Sequence, residues 1–259
     1  MFELILFSIL TLIIVTPCGS IFFKQNNNIV SLSNNLIYGI ILISFITLVI
    51  NFFFPLNTLV NTLILILPIL IILKNLKTYL SSNFLKFLIF NSIIIFLLVA
   101  KSNVYRPDAI LYHLPYTGIL NNEKIIFGLS NLHFRFAHIS IIQYFASFFN
   151  NFLFNIQGIV FSLAIISSAV IVNFLTQVIF YLKNKNFNFH FFFLFFILIF
   201  IAYKMNRYSE YGNDAPTHFL FFFLISELIQ YFNKKDKSFN SNHLLLSIFI
   251  VLNKITMAF

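Results

Sequence analysis

Leu36-Ile-Tyr-Gly-Ile-Ile-Leu-Ile-Ser-Phe-Ile-Thr-Leu-Val-Ile-Asn-Phe-Phe-Phe54 is a run without one charged side chain. An α-helix needs roughly 20 such residues to cross the hydrocarbon core of a bilayer. The pattern recurs in both directions. Candidate spans are 2–17, 36–54, 57–73, 84–100, 154–182, 187–205, 215–232 and 243–259. Hydrophobic residues make up 60 % of the chain and charged residues 9 %, and the mean hydropathy is +0.94. A soluble domain carries about 25 % charge, so the bilayer must act as the solvent. The expected fold class is an all-α integral membrane protein with about eight transmembrane helices. Residues 1–100 would hold the first four, 101–153 an outer-face loop, and 154–259 the last four.

Local signals refine this layout. Pro55 marks a tight turn between the second and third spans, and Pro68 should kink the third. The N-terminus, Met-Phe-Glu, has no basic residue, and Pro17 precedes Cys18. A cleaved signal needs a positive start and small residues at the cut, so residues 1–23 read as a retained span. Cys18 is the only cysteine, which excludes an internal disulfide or a thiolate metal cluster.

The net charge of +9 would suggest nucleic acid in a soluble chain. Here most lysines flank apolar runs, which orients a membrane protein, and no nucleic-acid partner is expected. One alternating set of loops holds nine cations: Lys24, Lys74, Lys77, Lys86, Lys183, Lys185, Lys234, Lys235 and Lys237. The other set holds six: Lys101, Arg106, Lys124, Arg135, Lys204 and Arg207. The positive-inside rule places the first set in the cytoplasm, so 101–153 faces outward.

That outer loop contains most of the chemistry. Residues 108–120 read as a short helix with Asp108 as N-cap. Residues 138–152 place Ile142, Phe145, Phe149 and Phe152 at helical spacing. Both segments would lie flat in the headgroup layer, with lipid on one side and water on the other. His113, five residues after Asp108, should not share its face closely. A lone histidine is more often a hydrogen-bonded structural residue than a base. His133 and Arg135 alternate about Phe134, which in extended chain points both to one side. They read either as a headgroup contact or as an anion clamp, since arginine grips phosphate with a planar fork of donors.

A second outer patch runs from Tyr203 to His218 and holds Arg207, Glu210 and Asp214. Asp214-Ala-Pro also reads as a helix start. Within the spans, Glu227 lies close enough to an end to snorkel, whereas Lys254 is deeper and needs a partner. No phosphate loop, zinc signature, nucleophile elbow or dinucleotide fingerprint is present.

The stretches Asp108-Ala-Ile-Leu-Tyr-His-Leu-Pro and Phe127-Gly-Leu-Ser-Asn-Leu-His-Phe-Arg135, followed by Ser140, resemble a group of bacterial polytopic membrane proteins. Asn213-Asp214-Ala-Pro216 and Lys254 extend the resemblance over roughly residues 105–258. That group is similar to the GT-C-type glycosyltransferases, multispan enzymes that use polyprenyl-phosphate sugars. The resemblance implies a GT-C-like fold in a bacterial plasma membrane with its site facing the periplasm. Asp108 would orient or deprotonate the acceptor hydroxyl. Arg135, with His133 or Arg207, would hold the lipid phosphate. Asp214 would be a second catalytic carboxylate, on substrate hydroxyls or a divalent cation such as Mg or Mn. Tyr112, His113, Glu210 and Lys254 complete the implied substrate-binding set. The GT-C acid usually follows the first span, whereas Asp108 follows the fourth.

Two other functions fit the composition: a transporter or flippase-like carrier, and a non-catalytic assembly subunit of an envelope polysaccharide system. A carrier would place polar groups near the midplane, whereas here they gather at one face. The final run, 243–259, ends without a polar flank, which suggests that further spans follow in a longer enzyme.

Overall fold

The computed structural model describes residues 2–23, 28–101, 108–137, 140–208, 211–233 and 241–258, leaving aside the side chains at 206–208 and 258. Among the described residues, all regular secondary structure is helical. They form α1 (Phe2–Gly19), α2 (Ile29–Asn51), α3 (Thr58–Ile64), α4 (Ile66–Lys74), α5 (Leu76–Tyr79) and α6 (Ser82–Ala100), then α7 (Leu114–Asn122) and α8 (Ile141–Phe148). The chain continues as α9 (Phe161–Lys183), α10 (Phe189–Tyr208), α11 (Asp214–Asn233) and α12 (Ser241–Asn253).

Among the described residues, five helices are long and apolar enough to cross a membrane. The eight expected spans are therefore too many by this measure, and three apolar runs fall short. The run at 57–73 is broken because Pro68 has no N–H to give the Ile64 carbonyl, and helix α3 stops at Ile64. The apolar stretch of α10 covers Phe189–Met205. Helix α12 has 13 residues, about 20 Å at 1.5 Å per residue, against the roughly 30 Å of hydrocarbon. It stops where Asn253 and Lys254 turn to polar partners.

Helices α1 and α2 form a close antiparallel hairpin. A Cβ at Gly19 would fall on the Asn35 carbonyl, and one at Gly39 on the Val15 carbonyl. Small residues serve this purpose in membranes, where helices gain little from hydrophobic association and must approach closely. Helix α9 is the central post. It packs against α2, α6, α10 and α11, and 89 % of its apolar window is buried. A helix apolar all round has this place.

The chain alternates between two ends of the bundle. Phe7, early in α1, meets Phe154, before α9, edge to face at 5.3 Å. Lys254, after α12, reaches Asp214 at the start of α11. At the opposite end the Tyr38 hydroxyl donates to the Asn242 carbonyl (3.1 Å), and Tyr231 meets His243 at 5.6 Å. The loop at 108–160 therefore caps one end together with residues 51–58, 211–217 and 253–254.

Two asparagines fasten this cap. Asn51 Nδ2 donates to the carbonyls of Phe54 (3.2 Å) and Glu123 (3.0 Å). Asn61 Nδ2 serves those of Leu56 (2.6 Å), Ser147 (2.9 Å) and Asn150 (3.0 Å). Each satisfies loop carbonyls that burial takes from water. The cap also corrects the expected shelf at 138–152. All eight residues of α8 are buried, so this helix sits inside the bundle, against α2, α7 and α9. Its polar face is matched: Gln143 meets His113, and the Ser147 hydroxyl bonds to Asn121.

Candidate functional site

Asp108 does not cap its helix. Its backbone is already helical (φ −65°, ψ −37°), and its carboxylate makes no cap hydrogen bond. The five residues that follow, Ala109–His113, form a single π-helical turn. Such turns bond i to i+5 and often mark functional sites. They also bring residues five apart toward one side, contrary to the α-helical expectation for Asp108 and His113.

The Asp108 carboxylate takes a hydrogen bond from Arg135 Nη1 at 3.2 Å, with the side chains 59 % and 40 % exposed respectively. The guanidinium carbon lies 5.1 Å from the Tyr112 ring centre and 5.5 Å from that of Phe134. Two aromatic rings thus flank the cation while Nη1 reaches Asp108. His133 and Arg135 do not form an extended clamp, because Phe134–Ala137 is a 3-10 turn. His133 Nδ1 instead accepts the Arg135 backbone N–H at 3.3 Å, and its ring stacks on Phe134. It shapes the turn that presents Arg135.

The second ion pair, Lys254 Nζ to Asp214 Oδ1, is 2.6 Å long and half-exposed. This supplies the partner that Lys254 requires. The side chain of Arg207 and the whole of Glu210 lie outside the described residues.

His113 stands between the two pairs. It is 3 % exposed, and Gln143 Nε2 lies 3.1 Å from its Nδ1. Burial lowers its pKa to about 4, a fall only partly offset by the nearby Asp108 and Asp214 charges and reinforced by Arg135. Partial burial and the Asp108 charge raise the Tyr112 pKa, while Arg135 pulls it down. Tyr211 is buried edge-on to His113 at 6.4 Å. Burial pushes its pKa up to about 12 against hydrogen bonds to Thr117 and Ser162. Both tyrosines are neutral phenols at neutral pH.

A buried polar chain runs from His113 toward the second pair. Gln143 Oε1 accepts the Ser140 backbone N–H at 3.1 Å. The Ser140 hydroxyl bonds to Asn253 Oδ1, Asn253 Nδ2 donates to Thr217 Oγ1 at 2.7 Å, and Thr217 donates to the Asn213 carbonyl at 2.7 Å. The seam thus runs from His113, the chain neighbour of Tyr112, to Asn253 and Asn213, the chain neighbours of Lys254 and Asp214. Sequence reasoning missed Gln143 and Asn253. The Ser140-x-x-Gln143 pattern of a capping box was the available signal for the first, and adjacency to Lys254 for the second.

The donor set does not suit a divalent cation. Arg135 and Lys254 already neutralise Asp108 and Asp214. Among the described residues, no three His, Cys, Asp or Glu side chains are grouped to hold a metal.

The neutral burial of His113 has a consequence for stability. An unfolded histidine binds a proton near pH 6.5, while the folded ring resists it down to about 4. The unfolded state then binds more protons, so stability falls as pH drops from about 6.5 to 4. The shift sets an upper bound of about 3 kcal/mol, at 1.36 kcal/mol per pH unit. Thermal unfolding across this range should show the loss, and His113→Gln should flatten it. An equal loss in the variant would place its origin elsewhere.

No curated protein and no solved structure matches the chain significantly. The family model described as Domain of unknown function (DUF8201) matches residues 1–259, and the chain belongs to that family.

Proposed function

We propose that the protein is a membrane-embedded glycosyltransferase that moves a sugar from a polyprenyl-phosphate donor to a cell-surface acceptor on the outer side of a bacterial plasma membrane. The observation that carries this reading is the Asp108–Arg135 pair, an uncapped carboxylate and an aromatic-held guanidinium at the rim of the bundle. A second acid–cation pair, Asp214–Lys254, lies at the same end. The five long apolar helices support a multispan membrane enzyme; 57–73, α10 and α12 would add thin or tilted crossings in a GT-C-like layout. The excess of lysine beside the opposite end supports an outward-facing site.

The chemistry assigns each group a step. Arg135 turns its donor fork from Asp108 to the lipid phosphate. The acceptor hydroxyl gives its proton to the Asp108 carboxylate as its oxygen bonds the sugar's anomeric carbon. The bond from that carbon to the phosphate oxygen breaks, and its electron pair leaves with polyprenyl phosphate. Arg135 and Lys254 stabilise the charge that develops there. Asp214 accepts hydrogen bonds from sugar hydroxyls.

Arg135→Lys keeps the charge but loses the fork and the stacking on Tyr112. Polyprenyl phosphate should bind the variant about 10-fold more weakly, equivalent to about 1.4 kcal/mol. Retention of the labelled lipid by protein in nanodiscs measures this. Equal retention would reduce Arg135 to a structural partner of Asp108.

A further inference from the structure

The polar seam dictates which nitrogen of His113 carries its proton. Each link has a direction anchored in the backbone. The Ser140 N–H can only donate, so the atom of Gln143 that faces it is the carbonyl Oε1 (3.1 Å). The Gln143 amide nitrogen therefore faces His113 Nδ1 (3.1 Å), and an amide NH2 can only donate. Nδ1 is then an acceptor, and the ring proton sits on Nε2.

The far side of the seam agrees. Thr217 gives its proton to the Asn213 carbonyl, so it accepts from Asn253 Nδ2. Asn253 Oδ1 then accepts the Ser140 hydroxyl. Every donor and acceptor has one consistent assignment, and none requires a charged imidazole.

Gly212 lies beside Nε2. A Cβ on that residue would lie 3.7 Å from Nε2, in ordinary contact. Nε2 has no hydrogen-bond partner among the described residues. The Asp108 and Asp214 charges act on the ring, and the Arg135 charge opposes them.

We infer that His113 is a neutral hydrogen-bond donor, through Nε2–H, to a hydroxyl oxygen of a bound sugar, and that Gln143 is the positioning residue that holds this tautomer. A hydroxyl suits the place because it can accept from a neutral N–H while donating to a carboxylate. The sugar as ligand rests on the glycosyltransferase reading; the tautomer does not. Burial keeps the ring neutral at neutral pH, with a pKa of about 4, so the donor stays uncharged while the enzyme works.

Nitrogen-15 magnetic resonance of the full chain in bilayers tests this without a variant. Tyr112-His113 is the only Tyr-His pair in the sequence, so carbonyl-13C tyrosine with uniformly 13C,15N-labelled histidine selects the His113 amide, from which the signal is relayed through the side-chain carbons to the ring. At pH 6–8 the ring should show protonated Nε2 and bare Nδ1. A polyprenyl-phosphate-linked sugar should move the Nε2 signal, and sugar-free polyprenyl phosphate should not. A protonated Nδ1 or an imidazolium at these pH values would overturn the inference. So would an unmoved Nε2 with the sugar-bearing lipid, or an equal shift with the sugar-free one. Transfer that survives Asp108→Asn would instead defeat the proposed mechanism without changing the tautomer.

Discussion

Asp108→Asn should lower sugar transfer by at least about 100-fold and leave the fold intact. The substitution is nearly isosteric, and its side-chain oxygen can still accept from Arg135 Nη1, now 3.2 Å from the carboxylate. What it cannot do is take a proton. The change is also cheap for the helix, because Asp108 makes no cap hydrogen bond that the variant would lose. The ion pair is about half exposed, and exposed pairs contribute about 0–1 kcal/mol. Unfolding should therefore shift little while turnover collapses. Parallel losses of stability and turnover would mean that Asp108 is structural; unchanged turnover would remove it from the chemistry.

The second large effect should come from Asn253→Leu. Asn253 is 2 % exposed and bonds two fully buried hydroxyls, those of Ser140 and Thr217. Leucine fills the volume but supplies neither partner. Removing one member of a buried polar pair costs the desolvation of the group left behind, about 1–3 kcal/mol each. Thr217 keeps the Asn213 carbonyl, so the greater loss falls on Ser140. The total should be about 2–4 kcal/mol, read as a lower unfolding midpoint in detergent. Hydrogen exchange at the Ser140 amide should rise with it, because the hold on Gln143 loosens. A variant as stable and as protected as the wild type would mean that the seam is incidental to the fold.

Much of the architecture was legible in the residues, and the reasons are physical. Apolar runs longer than a soluble core can hide force a membrane reading, and Pro68 announces the break at Ile64. The candidate site could be proposed from the sequence as a set of residues but not as a geometry. Asp108 and Arg135 both stood out, yet they are 27 positions apart, and only the fold can pair them. A capping carboxylate and an uncapped one look alike in sequence; the π turn at Ala109–His113 decides between them.

Residues 138–152 carry the same periodicity whether they float in headgroups or sit in a core. Gln143 and Ser147 decide it, by finding buried partners. In α2, the start at Ile29 lies upstream of the expected span because Ser33 and Asn35 are buried polar residues, which a hydropathy reading takes for loop. At α12, apolarity continued past Asn253 while the polar pair Asn253-Lys254 had already ended the helix.

In the proposed function, these paired acids and cations would transfer a sugar from a lipid phosphate. Purified full-length protein in liposomes, offered a labelled polyprenyl-phosphate-linked sugar with envelope glycan as acceptor, tests it directly. The label should pass to the glycan as sugar-free polyprenyl phosphate is released, and Asp108→Asn should abolish both. A donor lipid that stays intact, or that crosses the bilayer with its sugar still attached, would contradict the claim and identify a carrier instead.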